Sequence, residues 1–319
     1  MSYFIDDVMQ KIYFRADASA TIGYGHFIRT LALADMLKDD FDCTFFTCHP
    51  TSYQVSEMEK VCPFIPLQEE THSADFLSHL QGDEIVVLDN YFFTTDYQRA
   101  IKQKGCRLVC VDDMHDKHYV ADVVINHTLT DSGLFDVEPY TKLCLGFDWA
   151  LLRRPFIEAV NKLCSCAKRT ESITITFGGV DSFDFTGHYI REAMQLPTVS
   201  QITAVVGDAY QPQKPRVRDR RVSYCSNLTA QQMAELFCAS DWVICSASTV
   251  SLEAIACGAK LAVGWYVDNQ ADYYSLLTST GGVLPLGNIK DNPIPLTSLE
   301  IAGAVSYTHL RAHETEADL

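Results

Sequence analysis

Two patterns of apolar positions alternate along the chain. Short runs rich in Val, Ile and Phe give way to longer stretches whose apolar residues recur at helical spacing, which is the signature of βαβ units and parallel sheets. In the first half, Lys11–Arg15, Cys43–Thr47, Glu84–Leu88, Arg107–Val111 and Val123–Ile125 read as strands, with helices at Phe27–Lys38 and Thr95–Lys104. In the second half, strands are predicted at Ile173–Phe177, Gln201–Val206, Val222–Cys225, Trp242–Cys245 and Leu261–Tyr266. The helices between and after them fall at Gly187–Met194, Thr229–Cys238, Thr249–Cys257 and Ala271–Thr280. The alternation pauses at Gly146–Pro155, where Pro155 suits the first turn of a new helix, and restarts after the polar stretch Cys166–Ser172. This pattern predicts an α/β chain of two Rossmann-like, doubly wound domains, residues 1–155 and 156–305, facing a central cleft. In such sheets ligands bind beyond the carboxyl ends of the strands, so the loops there are the ones to read.

Length agrees: 319 residues fit two domains at about 150 residues each. Charge narrows the partners. With 41 acidic against 25 basic side chains the net charge is −16, which argues against a nucleic-acid or anionic-membrane binder. An anionic small ligand stays compatible where backbone dipoles hold it. No run approaches the ~18 apolar residues of a spanning helix. The opening Met1–Gln10 carries Asp6 and Asp7 where a signal peptide would have a basic region, and has no apolar core. Twelve cysteines scattered through apolar segments therefore read as reduced thiols of a cytoplasmic protein. Neither Cys106 with Cys110 nor Cys164 with Cys166 has the CxxC spacing of a zinc site. The last residues, Ser306–Leu319, lack an apolar face and read as a non-native, adaptor-like tail outside the fold. Oligomeric state is not legible.

Candidate chemistry begins in the loop after the first strand. Gly23 and Gly25 allow a tight turn with backbone close to a ligand, His26 stands at the mouth of the following helix, and Arg29 lies one turn on. A helix N-terminus disfavours a protonated imidazole, which suits His26 as a proton acceptor. On position alone His26 could equally be a cap or a buried polar group. The dinucleotide fingerprint fails because Ile28 stands where its third glycine belongs, so a nicotinamide cofactor is not expected.

In the second half, Gly178 and Gly179 at a strand end leave amides able to approach a diphosphate, with Asp181 just beyond. Ser246, Ser248 and Thr249 end one strand and start a helix, bringing hydroxyls, amides and dipole together. Glu253, one turn into that helix, could accept hydrogen bonds from a ribose diol. Asn269, in the run Asp268–Gln270 after the last strand, could bind sugar or acetamido groups, or cap the next helix. Asp112, Asp113, His115 and His118 invite a metal reading, but such mixed clusters are common in solvated loops and no metal is expected.

The opening segment, R-A-D-A-S-x-x-I-G-x-G-H-x-x-R-x-L-x-L-A, resembles that of the UDP-2,4-diacetamido-2,4,6-trideoxy-β-L-altropyranose hydrolases. These are nucleotide-sugar hydrolases of pseudaminic acid biosynthesis, related in fold to the two-domain GT-B glycosyltransferases. The likeness continues through Leu88–Tyr91, Gly146–Arg153, Phe177–Asp181, Ser246–Glu253 and Tyr266–Gln270, in order across most of residues 11–280. It implies that His26 is the general base, that Tyr91 and Arg153 line the sugar side of the cleft, and that Glu253 and Asn269 contact substrate. It further implies a UDP-linked diacetamido sugar as substrate, inverting cleavage of the sugar–oxygen bond, and no cofactor or metal. Two other functions share these features: a GT-B glycosyltransferase in which His26 deprotonates an acceptor hydroxyl, and a non-catalytic nucleotide-sugar-binding protein. Which stereoisomer of the sugar is taken is not legible.

Overall fold

The structure is a computed structural model that describes residues 9–18, 23–162, 171–179, 181–207 and 210–298. The Ser306–Leu319 tail and the Cys164–Cys166 pair lie outside the described residues. The chain divides into two compact units between Arg153 and Arg154.

The first unit runs β1 (Lys11–Ala16), α1 (Gly25–Leu37), β2 (Asp42–Cys48), α2 (Ser52–Met58), β3 (Phe64–Leu67), α3 (His72–His79) and β4 (Ile85–Asp89). It continues with α4 (Thr95–Gln103), β5 (Arg107–Val111), β6 (His118–Tyr119), β7 (Val123–Asn126), β8 (Asp136–Val137) and β9 (Lys142–Leu145). The large sheet has the order β3-β2-β1-β4-β5-β7-β9 with every pair parallel, while β6 and β8 pair apart from it. The order reverses between β1 and β4, and at such a switch point the loops diverge to leave a crevice.

The placement of α1 follows from side-chain alternation. Ile12, Phe14 and Ala16 point to one face of β1, and Phe27, Leu31 and Ala34 of α1 pack on them. Phe14 and Phe27 have no exposed surface. Burying such a side chain contributes about 1.5–3 kcal/mol, so this contact fixes the rotation of α1. With that stripe inward, His26, Arg29 and Thr30, spaced i, i+3, i+4, share a neighbouring face.

The second unit runs α5 (Arg154–Lys162), β10 (Glu171–Thr176), α6 (Phe185–Ala193), β11 (Val199–Val205), β12 (Val222–Cys225) and α7 (Ala230–Ala239). After these come β13 (Trp242–Ser246), α8 (Thr249–Ala256), β14 (Lys260–Trp265), α9 (Ala271–Ser279) and β15 (Val283–Asn288). Its parallel sheet has the order β12-β11-β10-β13-β14-β15, again reversing beside its first strand. Ile173, Ile175 and Phe177 pack with Tyr189, Ile190 and Ala193 of α6 to form its core.

Five strands depart from the sequence expectation: β3, β9 and β15, each at the edge of a large sheet, and the two-residue β6 and β8, which pair with each other. Among the described residues no helix is long and apolar enough to cross a membrane. The ten cysteines among the described residues are free thiols, most of them buried.

Candidate active site

The shared face of α1 meets the carboxyl end of β4 at Asp89, which has no exposed surface. Asp89 Oδ1 lies 2.6 Å from His26 Nδ1 and accepts from Arg29 Nη2 at 2.6 Å. Its Oδ2 accepts from Arg29 Nε at 2.7 Å and from Thr30 Oγ1 at 2.8 Å. Burial pushes the Asp89 carboxyl up, but Arg29 and then His26 outweigh it and hold the group well below the usual carboxylate range. Burial likewise pulls Arg29 down, and Asp89 with Asp113 outweigh it, so the guanidinium stays charged. An ionised carboxylate only accepts, so His26 Nδ1 carries the proton and, in the neutral ring, Nε2 carries the lone pair.

Two further residues complete the cluster. Asp113, just past β5, accepts from Arg29 Nη1 at 3.1 Å and from the Tyr91 hydroxyl at 3.3 Å. The exposed Tyr91 sets its ring edge-on to the His26 imidazole, with centroids 4.4 Å apart. Behind them the strand ends are tied together. Asp17 N donates to Asn90 Oδ1 at 2.7 Å, Cys48 N donates to Asp17 Oδ1 at 2.7 Å, and Arg15 pairs with the same carboxylate. His127, past β7, is buried, and burial followed by the charge of Arg29 lowers its pKa to about 4. Rigid strand ends around a ring with one defined donor side can position and activate a water or hydroxyl.

The run Asp112–His118 disperses. Asp112 accepts from Tyr119 Oη at 2.5 Å and Asn126 Nδ2 at 3.3 Å, Asp113 joins Arg29, and His118 sits between Asp136 at 2.9 Å and Glu138 at 3.2 Å. Among the described residues no group of three or more His, Cys, Asp or Glu is arranged to hold a metal ion.

In the second unit, Gly178 adopts φ +84°, a left-handed conformation that favours glycine. A Cβ on Gly178 or on Gly179 would meet nothing within 4 Å, so open space lies above this loop. A Cβ on Gly207, at the end of β11, would lie 2.1 Å from Gly179 O, so the two strand-end loops touch. The start of α6 is already occupied. Asp181 accepts from Phe185 N at 2.9 Å and Thr186 N at 2.8 Å, and Asp184 accepts from Gly187 N at 3.1 Å. By contrast Ser248, the N-cap of α8, makes no side-chain cap bond. Its hydroxyl donates instead to Ser246 O at 3.3 Å. Beyond β11 and β12 lies a cavity of about 180 Å³ lined in part by Gly207, Tyr210, Arg216 and Tyr224, with the Arg216 guanidinium 4.9 Å from the Tyr224 ring centre.

The residues singled out from sequence are thus distributed over both units. Gly25 is exposed at the start of α1, whereas Arg29 is turned inward onto two carboxylates. Arg153 is half-buried at the division between the units. Thr249 is half-buried at the start of α8, and Glu253 within it is buried. Asn269 is half-buried in a short 3-10 turn, and it is Gln270 that accepts from Tyr266 N, at 3.1 Å. Sequence reading missed Asp89, Asp113 and Gly207 as members of these sites. Asp89 had a visible signal: a carboxylate ending an apolar strand.

No family model matches the chain. It is 24% identical over 282 residues to the UDP-2,4-diacetamido-2,4,6-trideoxy-beta-L-altropyranose hydrolase of Campylobacter jejuni, covering 85% of this chain and 97% of that protein. An uncharacterized protein of Methanocaldococcus jannaschii is 24% identical over 280 residues, 83% of this chain, and the chain spans only 57% of that relative's length. Among solved structures, Acinetobacter baumannii MurG is similar with a TM-score of 0.58 at 11% identity, over 88% of this chain and 86% of that one. Arabidopsis thaliana UGT89C1 complexed with UDP is similar with a TM-score of 0.60 at 10% identity, over 87% and 86%. These neighbours are GT-B glycosyltransferases, and the chain shares their fold of two Rossmann-like units.

Proposed function

We propose that the chain is a nucleotide-sugar hydrolase that releases UDP from UDP-2,4-diacetamido-2,4,6-trideoxy-β-L-altropyranose, a step of pseudaminic acid biosynthesis. The observation that carries this reading is the buried His26–Asp89 pair, whose geometry leaves Nε2 as the proton acceptor. Nε2 takes a proton from water, the water oxygen bonds to the anomeric carbon, and the bond from that carbon to the diphosphate oxygen breaks. The electron pair leaves with UDP. No enzyme carboxylate forms a covalent intermediate, so the anomeric centre inverts. Asp89 holds the tautomer and stabilises the imidazolium that forms, the role of the acid in a His–Asp pair.

The leaving group is already a good anion near neutral pH. In this reading the amides of Gly178 and Gly179 and the start of α8 at Ser248 and Thr249 receive the growing negative charge. The cavity beyond β11 and β12 takes the base, Glu253 takes the ribose, and Tyr91, Arg153 and Asn269 contact the sugar. The similarity to the Campylobacter jejuni hydrolase supports the substrate class.

Turnover in oxygen-18 water tests the chemistry. Label in the released sugar is the expected result, and label in UDP overturns attack at carbon. The structural neighbours favour a second reading, a glycosyltransferase in which His26 deprotonates an acceptor. UDP released without acceptor separates the two.

A further inference from the structure

Among the described residues, the cluster around His26 holds more negative than positive charge. Arg29 brings one guanidinium, and its two edges meet two carboxylates, Asp89 through Nε and Nη2 and Asp113 through Nη1. The other groups facing the cluster do not restore the balance. Arg15 and Asp17 pair with one another at the end of β1. Lys117 reaches the Tyr91 carbonyl at 3.1 Å and pairs with Asp116 at 3.4 Å. Asp112 bonds to Tyr119 and Asn126, and His127 is buried beside Arg29 and neutral at ordinary pH.

His26 and Arg29 are each 4% exposed, so water screens this imbalance poorly. A proton arriving on His26 brings the count over Arg29, Asp89, Asp113 and His26 to zero. That is the state reached when a base has taken a proton from water.

We propose that Asp113 is a positioning residue for the base: it supplies the negative charge left over once Arg29 has matched Asp89, and it holds the Tyr91 phenol against the imidazole. The rate effect rests on the reading of His26 as the base; the electrostatic effect does not. Among the described residues, Asp113 reaches the ring through Arg29 and Tyr91. Arg29 Nη2 is 3.0 Å from His26 Nδ1, so Asp113 stands one guanidinium away. A carboxylate at that range favours the protonated ring over the neutral one.

The test compares the wild type with Asp113→Asn, which keeps the shape and removes the charge. In histidine-ring NMR, the His26 signals are expected to change at lower pH in the variant than in the wild type, since a negative charge on the other side of Arg29 has gone. An unchanged titration overturns the proposal. UDP release from the nucleotide sugar is expected to slow roughly tenfold or more, with KM little altered, and the acidic limb of the kcat/KM profile to move to lower pH. Loss of activity with an unshifted profile means a structural role only and also overturns it. If the wild type releases no UDP, the hydrolase reading fails while the ring titration still decides the inference. Should the asparagine variant not fold, Asp113→Ser carries the same comparison, because its hydroxyl can still accept from Arg29.

Discussion

His26 Nδ1 lies 2.6 Å from Asp89 Oδ1, and Asp89 gathers two more residues from the same helix face. The helix α1 and the end of β4 are therefore locked together by one carboxylate, and the proton position on the imidazole is set by that lock. A carboxamide at position 89 could present its NH₂ to the ring and favour the wrong tautomer. UDP release by Asp89→Asn is expected to fall about a thousandfold or more. The variant also leaves Arg29 short of one buried partner, and urea unfolding is expected to show a loss of about 3 kcal/mol. Wild-type turnover by this variant means the pair has no part in the reaction.

His127 gives the fold a pH dependence of known sign. In the folded chain its pKa is lowered to about 4 from the ordinary 6.5, by burial first and then by Arg29. Between those values the unfolded chain binds a proton that the folded chain does not, so stability falls as pH drops from 6.5 towards 4. At about 1.4 kcal/mol per unit the loss amounts to a few kcal/mol. Urea unfolding at pH 7 and pH 5 is expected to show a smaller difference for His127→Gln than for the wild type. An equal difference in both removes His127 as the cause.

The strand-end glycines of the second unit separate binding from folding. Nothing lies within 4 Å of a Cβ on Gly179, so Gly179→Ala is expected to melt like the wild type while binding UDP more weakly, because the methyl stands over the loop. A Cβ on Gly207 would lie 2.1 Å from Gly179 O, so Gly207→Ala is expected to lose about 1–3 kcal/mol of stability as well. Calorimetry of UDP binding alongside thermal unfolding reads both. Unweakened binding by Gly179→Ala places the diphosphate elsewhere.

Most of the sheet was legible because its central strands are short, nearly continuous apolar runs, as strands buried on both faces must be. The edges were harder. Pro66 stands in β3 and Pro285 in β15, and proline is tolerated there because an edge strand leaves one side of its ladder unpaired. The capping box of α2, Thr51 with Gln54, is a helix-start signal that the sequence itself carries. In the site, helical spacing puts His26 and Arg29 on one face, while position alone leaves His26 open to a capping or buried role. Asp89 lies 63 residues from its histidine and was not legible, because that contact depends on β1 and β4 being neighbours. Asp113 sat in plain view within a run that suggested metal ligands, and only the fold shows that it faces Arg29.

The central claim is that His26 activates water against a nucleotide sugar. It is tested most directly by the rate of UDP release from the UDP-linked diacetamido sugar, with no acceptor added, for the wild type and His26→Ala side by side. Release by the wild type and a fall of roughly 100- to 10,000-fold in the variant are predicted, the usual contribution of a general base. Equal rates in the two proteins, or release that requires an added acceptor, would contradict it.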